Sequence, residues 1–268
     1  MSRPPRTLAS LSAYACEGGL DGRYQPATCY SPVIALERRR GPGDAEGLWR
    51  DYEVVLDLAS ELRLTGVCLE VSWARLEPRR GQRDETALSR YGDVIAHARR
   101  RGLFVGVAAI DAAWPAWLGQ EAWLMPWVVP VAVDYVSWLA RGLTADSWSI
   151  FAAREELTRG FLDADAGPPW RRGAREDARS ASDNLDAIAE LVASSNAVPF
   201  VSSVNVALDD LTHTIIPVVE GVDEVHVRSL VRGAGPLSST RGVLARRGTE
   251  WVLALREVPA ALRDVGQD

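Results

Sequence analysis

The chain alternates between two hydrophobic periods along most of its length. In four segments, apolar residues recur every three to four positions, which is the period of an amphipathic helix. These predicted helices span residues 48–62, 85–101, 130–142 and 183–195. Between them lie short, nearly continuous apolar runs, which are typical of strands covered on both faces. The predicted strands span residues 7–16, 66–73, 103–111, 147–153, 198–207, 223–231 and 250–257.

This alternation predicts a parallel sheet with helical crossovers, and therefore an α/β fold. No G-x-G-x-x-G turn follows the first strand and no G-x-x-x-x-G-K-[ST] loop is present, which argues against an open nucleotide-binding sheet. The length of 268 residues fits one barrel, which typically takes about 250 residues. We predict a single domain, residues 1–268, folded as a compacted (β/α)8 TIM-type barrel. A long loop would span residues 20–46, and the last β/α unit would be incomplete or irregular if no eighth strand follows residue 258.

Composition narrows the partners and the chemistry. The net charge of −6 gives no reason to expect nucleic-acid binding. No uncharged apolar run is long enough to span a bilayer, and the N-terminus does not resemble a secretory signal. Three cysteines without metal-ligand spacing indicate reduced thiols, so we expect a cytoplasmic protein without a metal or other cofactor. All 30 basic residues are arginine, which excludes a lysine Schiff base and suggests a GC-rich genome such as that of an actinobacterium.

An ordered series of motifs runs through roughly residues 7–170. Residues 70–78 read E-V-S-W-A-R-L-E-P, which is similar to S-I-S-W-x-R-I-x-P, the second-strand motif of glycoside hydrolase family 1. Further segments match that family's S-Y-Q-x-E-G, Y-H-W-D-L-P, G-G-W and N-E-P regions: residues 13–18, 110–115, 123–124 and 148–154. The chain thus resembles the β-glucosidase-type (β/α)8 barrels, and the resemblance implies a pocket that once bound sugars.

The residues that carry the family's chemistry are replaced. The Asn and the acid/base Glu of N-E-P fall on Ala152 and Ala153, and no T-E-N-G segment supplies the nucleophile. The family's first-strand Gln, second-strand Arg and third-strand His correspond to Ala15, Cys68 and Asp111. Since a retaining glycosidase needs two carboxyl groups about 5–5.5 Å apart, the resemblance implies the fold and the pocket more firmly than the reaction.

Active sites of such barrels lie at the C-terminal ends of the strands, so polar side chains there are the candidates. Acid, base or nucleophile candidates are Glu70, Asp111, His226, Glu155 and Glu257. Substrate-binding candidates are Trp73, Trp114, Asn205, Arg228 and Tyr14.

Several of these residues have a second interpretation that the sequence leaves open. Glu70, inside an apolar strand, could form a buried ion pair with an arginine or act as a general acid or base. Asp111 could cap a turn, and Glu155 could be the first-turn acid of a helix. His226 could be a core histidine. Tryptophans crowd the loop after the third strand, where they would either stack on a ligand or pack as an apolar cover: Trp114, Trp117, Trp123 and Trp127.

Three functions remain open. The first is a metal-independent enzyme of small-molecule biosynthesis or secondary metabolism that uses the former sugar pocket for cyclisation, isomerisation, elimination or acetal exchange. The second is a true O-glycosidase with relocated carboxylates, and the third a non-catalytic pseudoglycosidase that binds a ligand. We favour the first and expect a sugar-like or polycyclic, polyketide-like substrate. We expect no nucleic-acid or membrane partner, and a monomer or homodimer.

Overall fold

The computed structural model describes residues 7–36, 41–152, 154–164, 167–195, 200, 203–207, 224–230, 239–247 and 250–252. Its helices are α1 (Ser31–Leu36), α2 (Leu48–Glu61), α3 (Trp73–Leu76), α4 (Glu85–Arg100), α5 (Val128–Gly142), α6 (Arg154–Arg159) and α7 (Arg175–Ser195). Its strands are β1 (Thr7–Ser12), β2 (Gly66–Glu70), β3 (Phe104–Ile110), β4 (Ser147–Phe151), β5 (Ser203–Ala207), β6 (Glu224–Leu230), β7 (Ser239–Arg247) and β8 (Glu250–Val252).

The strands form one sheet in the order β4-β3-β2-β1-β7-β6-β5, with β8 paired to β7. Strands β1 to β4 are parallel neighbours, and β5 and β6 are parallel to each other. Strand β7 runs antiparallel to both β1 and β6. One parallel bridge joins Trp148 of β4 to Phe200, which precedes β5. The α/β class is therefore confirmed, while closure of eight parallel strands into a barrel stays a prediction.

The two faces of β1 to β4 have different neighbours. Side chains of one register, such as Leu11, Leu69 and Val107, belong to the main core together with the apolar stripes of α2, α4, α5 and α7. In the alternate register, Cys68 and Ala108 form a separate small cluster with Ala152. Because side chains alternate across a strand, this second face is the one that also carries Ser10 and Glu70.

Three of the four predicted helices and the first four strands are found within a few residues of their expected bounds. Helix α7 begins eight residues before its predicted start, because its apolar stripe already includes Ala178 and Ala181. Glu176 and Asp177 in the first turn also favour a helix N-terminus there. The predicted strand at 7–16 ends at Ser12, and the rest is a π-helical turn, Ala13–Glu17.

The hydrophobic pattern missed the short helices α1 and α3 and the strand β7. The predicted loop at 20–46 contains the short helix α1. Strand β7 was not expected, because its sequence S-T-R-G-V-L-A-R-R is polar. The register joins it to β1 and β6 through backbone hydrogen bonds, which do not depend on apolar side chains. Within the described ranges, no helix has the length and apolar character needed to cross a membrane.

Candidate active site

Two carboxyl groups lie at the C-terminal ends of neighbouring strands. Glu70 is the last residue of β2, and Asp111 directly follows β3. Both are buried, with exposed fractions of 6% and 5%. Ser10 of β1 donates a 2.6 Å hydrogen bond from its hydroxyl to Glu70 Oε1. Adjacent parallel strands thus bring these two sequence-predicted residues to the same end of the sheet.

Two backbone amides hold the carboxyl group of Asp111, and the surroundings of this group raise its pKa. The amide of Ala113 donates to Oδ1 at 2.6 Å, and the amide of Tyr14 approaches Oδ2 at 3.4 Å. Burial, followed by the charge of the nearby Glu70, raises the pKa of Asp111 to about 8. The two amides favour the charged form, but they do not offset the loss of solvation. Asp111 therefore holds a proton near neutral pH. Its bond to the amide of Ala113 also agrees with the turn-capping interpretation.

A third buried carboxyl group, Glu17, lies beside this pair. It ends the π-helical turn after β1, and Arg75 Nε donates to its Oε2 at 3.1 Å. The hydroxyl of Tyr91 donates to Oε1 at 2.5 Å. The guanidinium of Arg75 also packs 4.0 Å from the ring centre of Trp49. Arg75 therefore forms its ion pair with Glu17, and both interpretations of Glu70 stay predictions.

Glycine at position 18 lets the turn after β1 pass close to the backbone of Asp44. Gly18 has φ of +74°, and a Cβ there would lie 2.2 Å from the carbonyl oxygen of Asp44. Its own carbonyl accepts a 2.6 Å hydrogen bond from Arg75 Nη2. A narrow crevice with room for roughly one water molecule separates this network from Glu70. It is lined by Glu17, Glu70, Trp49, Tyr91 and four apolar side chains of the core.

The tryptophans expected to bind a ligand are mostly packed inside the protein. Trp73 is 1% exposed, stacks on Tyr135 with ring centres 4.3 Å apart, and donates to Glu77 Oε2 at 3.0 Å. Trp114, also 1% exposed, donates to the carbonyl of Gly119 and packs edge-on against Trp123. The packed-cover interpretation therefore describes these rings, and direct ligand contact by Trp73 or Trp114 stays a prediction.

Tyr14 lies in the turn after β1, with its amide facing Asp111, and is only half-buried. Its hydroxyl donates to Asp21 Oδ2 at 2.9 Å, and its ring packs 4.9 Å from that of Tyr30. Tyr30 in turn packs edge-on against Trp170, with ring centres 6.3 Å apart. These three rings come from the turn after β1, the loop after it and the loop after α6. They place aromatic surface beside Asp111.

The other predicted site residues are described only in part. The backbone of Glu155 lies in α6 as its second residue, which agrees with a first-turn acid. Asn205 and His226 are register partners on β5 and β6, and Arg228 is the register partner of Arg241 on β7. Glu257 lies outside the described residues. Among the side chains that the structure describes, no group of His, Cys, Asp and Glu is arranged to hold a metal ion.

Sequence reasoning missed Glu17, Arg75, Tyr30 and Trp170. A signal existed for the first two, since both lie inside family-like motifs, E-G after the first strand and W-x-R after the second. No such signal marks Tyr30 or Trp170. Their ring contacts depend on how two loops fold over the sheet.

The comparisons with known proteins agree with this architecture. No family profile and no curated protein matches the chain. Among solved structures, aphid myrosinase is 14% identical with a TM-score of 0.64, covering 73% of this chain and 46% of that one. A β-glucosidase from Exiguobacterium marinum is 17% identical with a TM-score of 0.64, covering 75% and 51%. A rice β-glucosidase is 16% identical with a TM-score of 0.65, covering 75% and 48%.

The chain spans about half the length of these solved structures. Identities this low show the fold alone. Over the matched part, the chain therefore has the fold of the β-glucosidase-type TIM-barrel glycosidases.

Proposed function

We propose that the protein is an enzyme that performs acid–base chemistry on a small molecule at the C-terminal ends of β2 and β3. The observation that carries this proposal is the pair of buried carboxyl groups, Glu70 and Asp111, at the ends of adjacent strands. The raised pKa of Asp111, about 8, leaves it protonated near neutral pH. A buried acid beside a second carboxyl group is the arrangement that general acid–base catalysis uses.

The two groups would divide the proton transfers between them. Asp111 would donate its proton to an oxygen of the ligand, while Glu70, oriented by the Ser10 hydroxyl, would remove a proton from a neighbouring carbon or hydroxyl group. The ligand keeps its net charge, and the proton passes from Asp111 through the ligand to Glu70. Cyclisation, isomerisation, elimination and acetal exchange all fit this scheme, and His226 stays a predicted further acid or base. A role in biosynthesis, in the former sugar pocket, is part of the same proposal.

The alternative with support from the comparisons is a glycosidase, since the solved structures of the same fold include β-glucosidases. It would require Glu155 and Glu257 to replace the lost carboxyl groups. A non-catalytic binding protein would use the same pocket without proton transfer.

The test is turnover by the wild type, Glu70→Gln and Asp111→Asn on aryl α- and β-glycosides and on a mixture of small metabolites, followed by mass spectrometry. Asp93→Asn, on the exposed surface of α4, is the matched control. Turnover lost in both site variants and kept in the control supports the proposal. Turnover that survives in both variants refutes it, and loss in Glu155→Gln or Glu257→Gln instead favours the glycosidase.

A further inference from the structure

The rings of Tyr14, Tyr30 and Trp170, which we name the aromatic wall, lie in a row along the segments after β1 and α6. The backbone amide of Tyr14 faces Asp111. Tyr30 is close enough for Asp111 and Glu156 to contribute, after burial and Cys29, to the raised pKa of its hydroxyl. The end of the wall formed by Tyr14 and Tyr30 is therefore near Asp111.

The wall differs from the other large aromatic side chains near the site in its exposure. Trp73, Trp114 and Trp123 are at most 1% exposed, whereas the three rings of the wall are each half-buried. Aromatic surface that remains open beside a group of convergent polar side chains is typical of ligand pockets.

Asp21 holds the first half of the wall in place. Its carboxylate accepts from the hydroxyl of Tyr14 at 2.9 Å and from the amide and hydroxyl of Thr28, each at 2.6 Å. The hydroxyl of Ser31 also donates to it. The same loop is joined to the segment after β3 through the bridge between Thr28 and Pro115. These bonds fix Tyr14 and Tyr30 before any ligand arrives.

The second half of the wall is fixed by the loop after α6. Trp170 has φ of +53°, a conformation that non-glycine residues rarely adopt and that persists only where the surroundings enforce it. Its amide donates to Gly167 at 2.8 Å, and the amide of Arg171 donates to Gly160 at 2.8 Å. The Arg171 side chain is anchored to Glu121 and Asp177. A rigid aromatic surface lowers the entropy cost of binding.

We propose that the aromatic wall of Tyr14, Tyr30 and Trp170 contacts the substrate and selects a ligand that presents a flat, uncharged ring face, with Asp21 as the positioning residue. This inference deepens the proposed function and rests on it for the location of the reacting atoms. The flat face could belong to an aromatic ring or to the apolar side of a sugar. The wall would recognise either one through stacking, and the probes below separate them.

The experiment measures binding by ligand-observed NMR with phenyl, cyclohexyl and methyl β-D-glucoside. We expect phenyl β-D-glucoside to bind, with saturation transferred mainly to its aromatic protons. If saturation is confined to the sugar protons and methyl β-D-glucoside binds equally well, the sugar is the ring that stacks on the wall. Tyr30→Leu and Trp170→Leu should each weaken binding by about tenfold, since each removes one aromatic contact and its buried surface. Tyr30→Phe keeps the ring and should bind like the wild type.

Tyr24→Leu is the matched control, because Tyr24 lies in the same loop but is 90% exposed. Wild-type affinity in Tyr30→Leu and Trp170→Leu overturns the inference, as does the absence of binding by any probe. Equal affinities for the cyclohexyl and phenyl compounds overturn it when saturation is transferred to the protons of the aglycone and not to those of the sugar. Circular dichroism verifies that each variant is folded. Glu70→Gln and Asp111→Asn should still bind the probe. Turnover that survives in both variants would refute the acid–base proposal alone, whereas lost binding in the ring variants would concern only the wall.

Discussion

Replacing Asp111 by asparagine should change how the stability of the protein depends on pH. The pKa of Asp111 rises from an ordinary value near 4 to about 8 on folding. Between those two values the native state keeps a proton that the unfolded state releases. The free energy of unfolding of the wild type should therefore fall as pH rises through this window, by up to about 1.4 kcal/mol per pH unit.

The expected size of the effect follows from the raised pKa of Asp111 and from its two hydrogen bonds. A pKa that rises by about four on folding contributes at most about 5 kcal/mol to the free energy of unfolding, and all of this contribution is lost above pH 8. Asparagine cannot ionise, so the variant lacks this loss. Its side-chain oxygen can still accept from the amide of Ala113, but its NH2 group would face the amide of Tyr14, which costs about 1 kcal/mol at every pH. Asp111→Asn should thus be slightly less stable than the wild type near pH 4 and more stable by several kcal/mol at pH 8.

The assay is urea unfolding followed by circular dichroism at pH values from 5 to 9. Asp57→Asn is the control of opposite sign, because hydrogen bonds from Arg101 and then His97 hold the pKa of Asp57 well below its usual range. The stabilisation that Asp57 provides is present above its unfolded pKa and is lost only as pH falls. The Asp57→Asn variant should therefore have a lower free energy of unfolding than the wild type at neutral pH. A stability difference between wild type and Asp111→Asn that is constant from pH 5 to 9 would refute the protonated Asp111 and, with it, its role as the acid.

Three further predictions test the surroundings of the site. Arg75→Met should destabilise the protein by about 3–5 kcal/mol in chemical unfolding, because it leaves the buried Glu17 without the cation that favours its charged form; if Glu17→Gln in the same chain does not recover part of this loss, the ion pair is not its cause. Tyr135→Phe should lower the melting temperature modestly, with a cost of about 1 kcal/mol for the lost bond to the Ala109 carbonyl, and an unchanged melting temperature would count against that bond. Burial, together with the neighbouring Glu70, raises the pKa of Cys16 to about 12, and burial also raises that of Cys29. Both thiols should therefore resist iodoacetamide at pH 8 until urea unfolds the protein, and rapid native labelling would contradict this.

The carboxyl pair shows which parts of the candidate site the sequence could predict. Glu70 was a candidate because a carboxylate inside an apolar strand is costly, and Asp111 because it follows the next strand. Their neighbourhood then followed from parallel pairing, which the strand–helix alternation predicts. The sequence could not choose between an ion pair and an acid for Glu70. It also could not show that Arg75 pairs with Glu17, because that contact depends on how the turn after β1 folds against α3.

Local hydrophobic period is enough to predict the α/β class and, within a few residues, the bounds of α2, α4, α5 and β2 to β4. The antiparallel course of β7, the network of Glu17, Arg75 and Tyr91, and the aromatic wall become visible only in the folded chain. Each of these depends on backbone pairing or on contacts between segments far apart in the chain, such as Tyr30 and Trp170. A local hydrophobic pattern contains no information about contacts between such distant segments. In the folded chain, burial and the charge of Glu70 raise the pKa of Asp111.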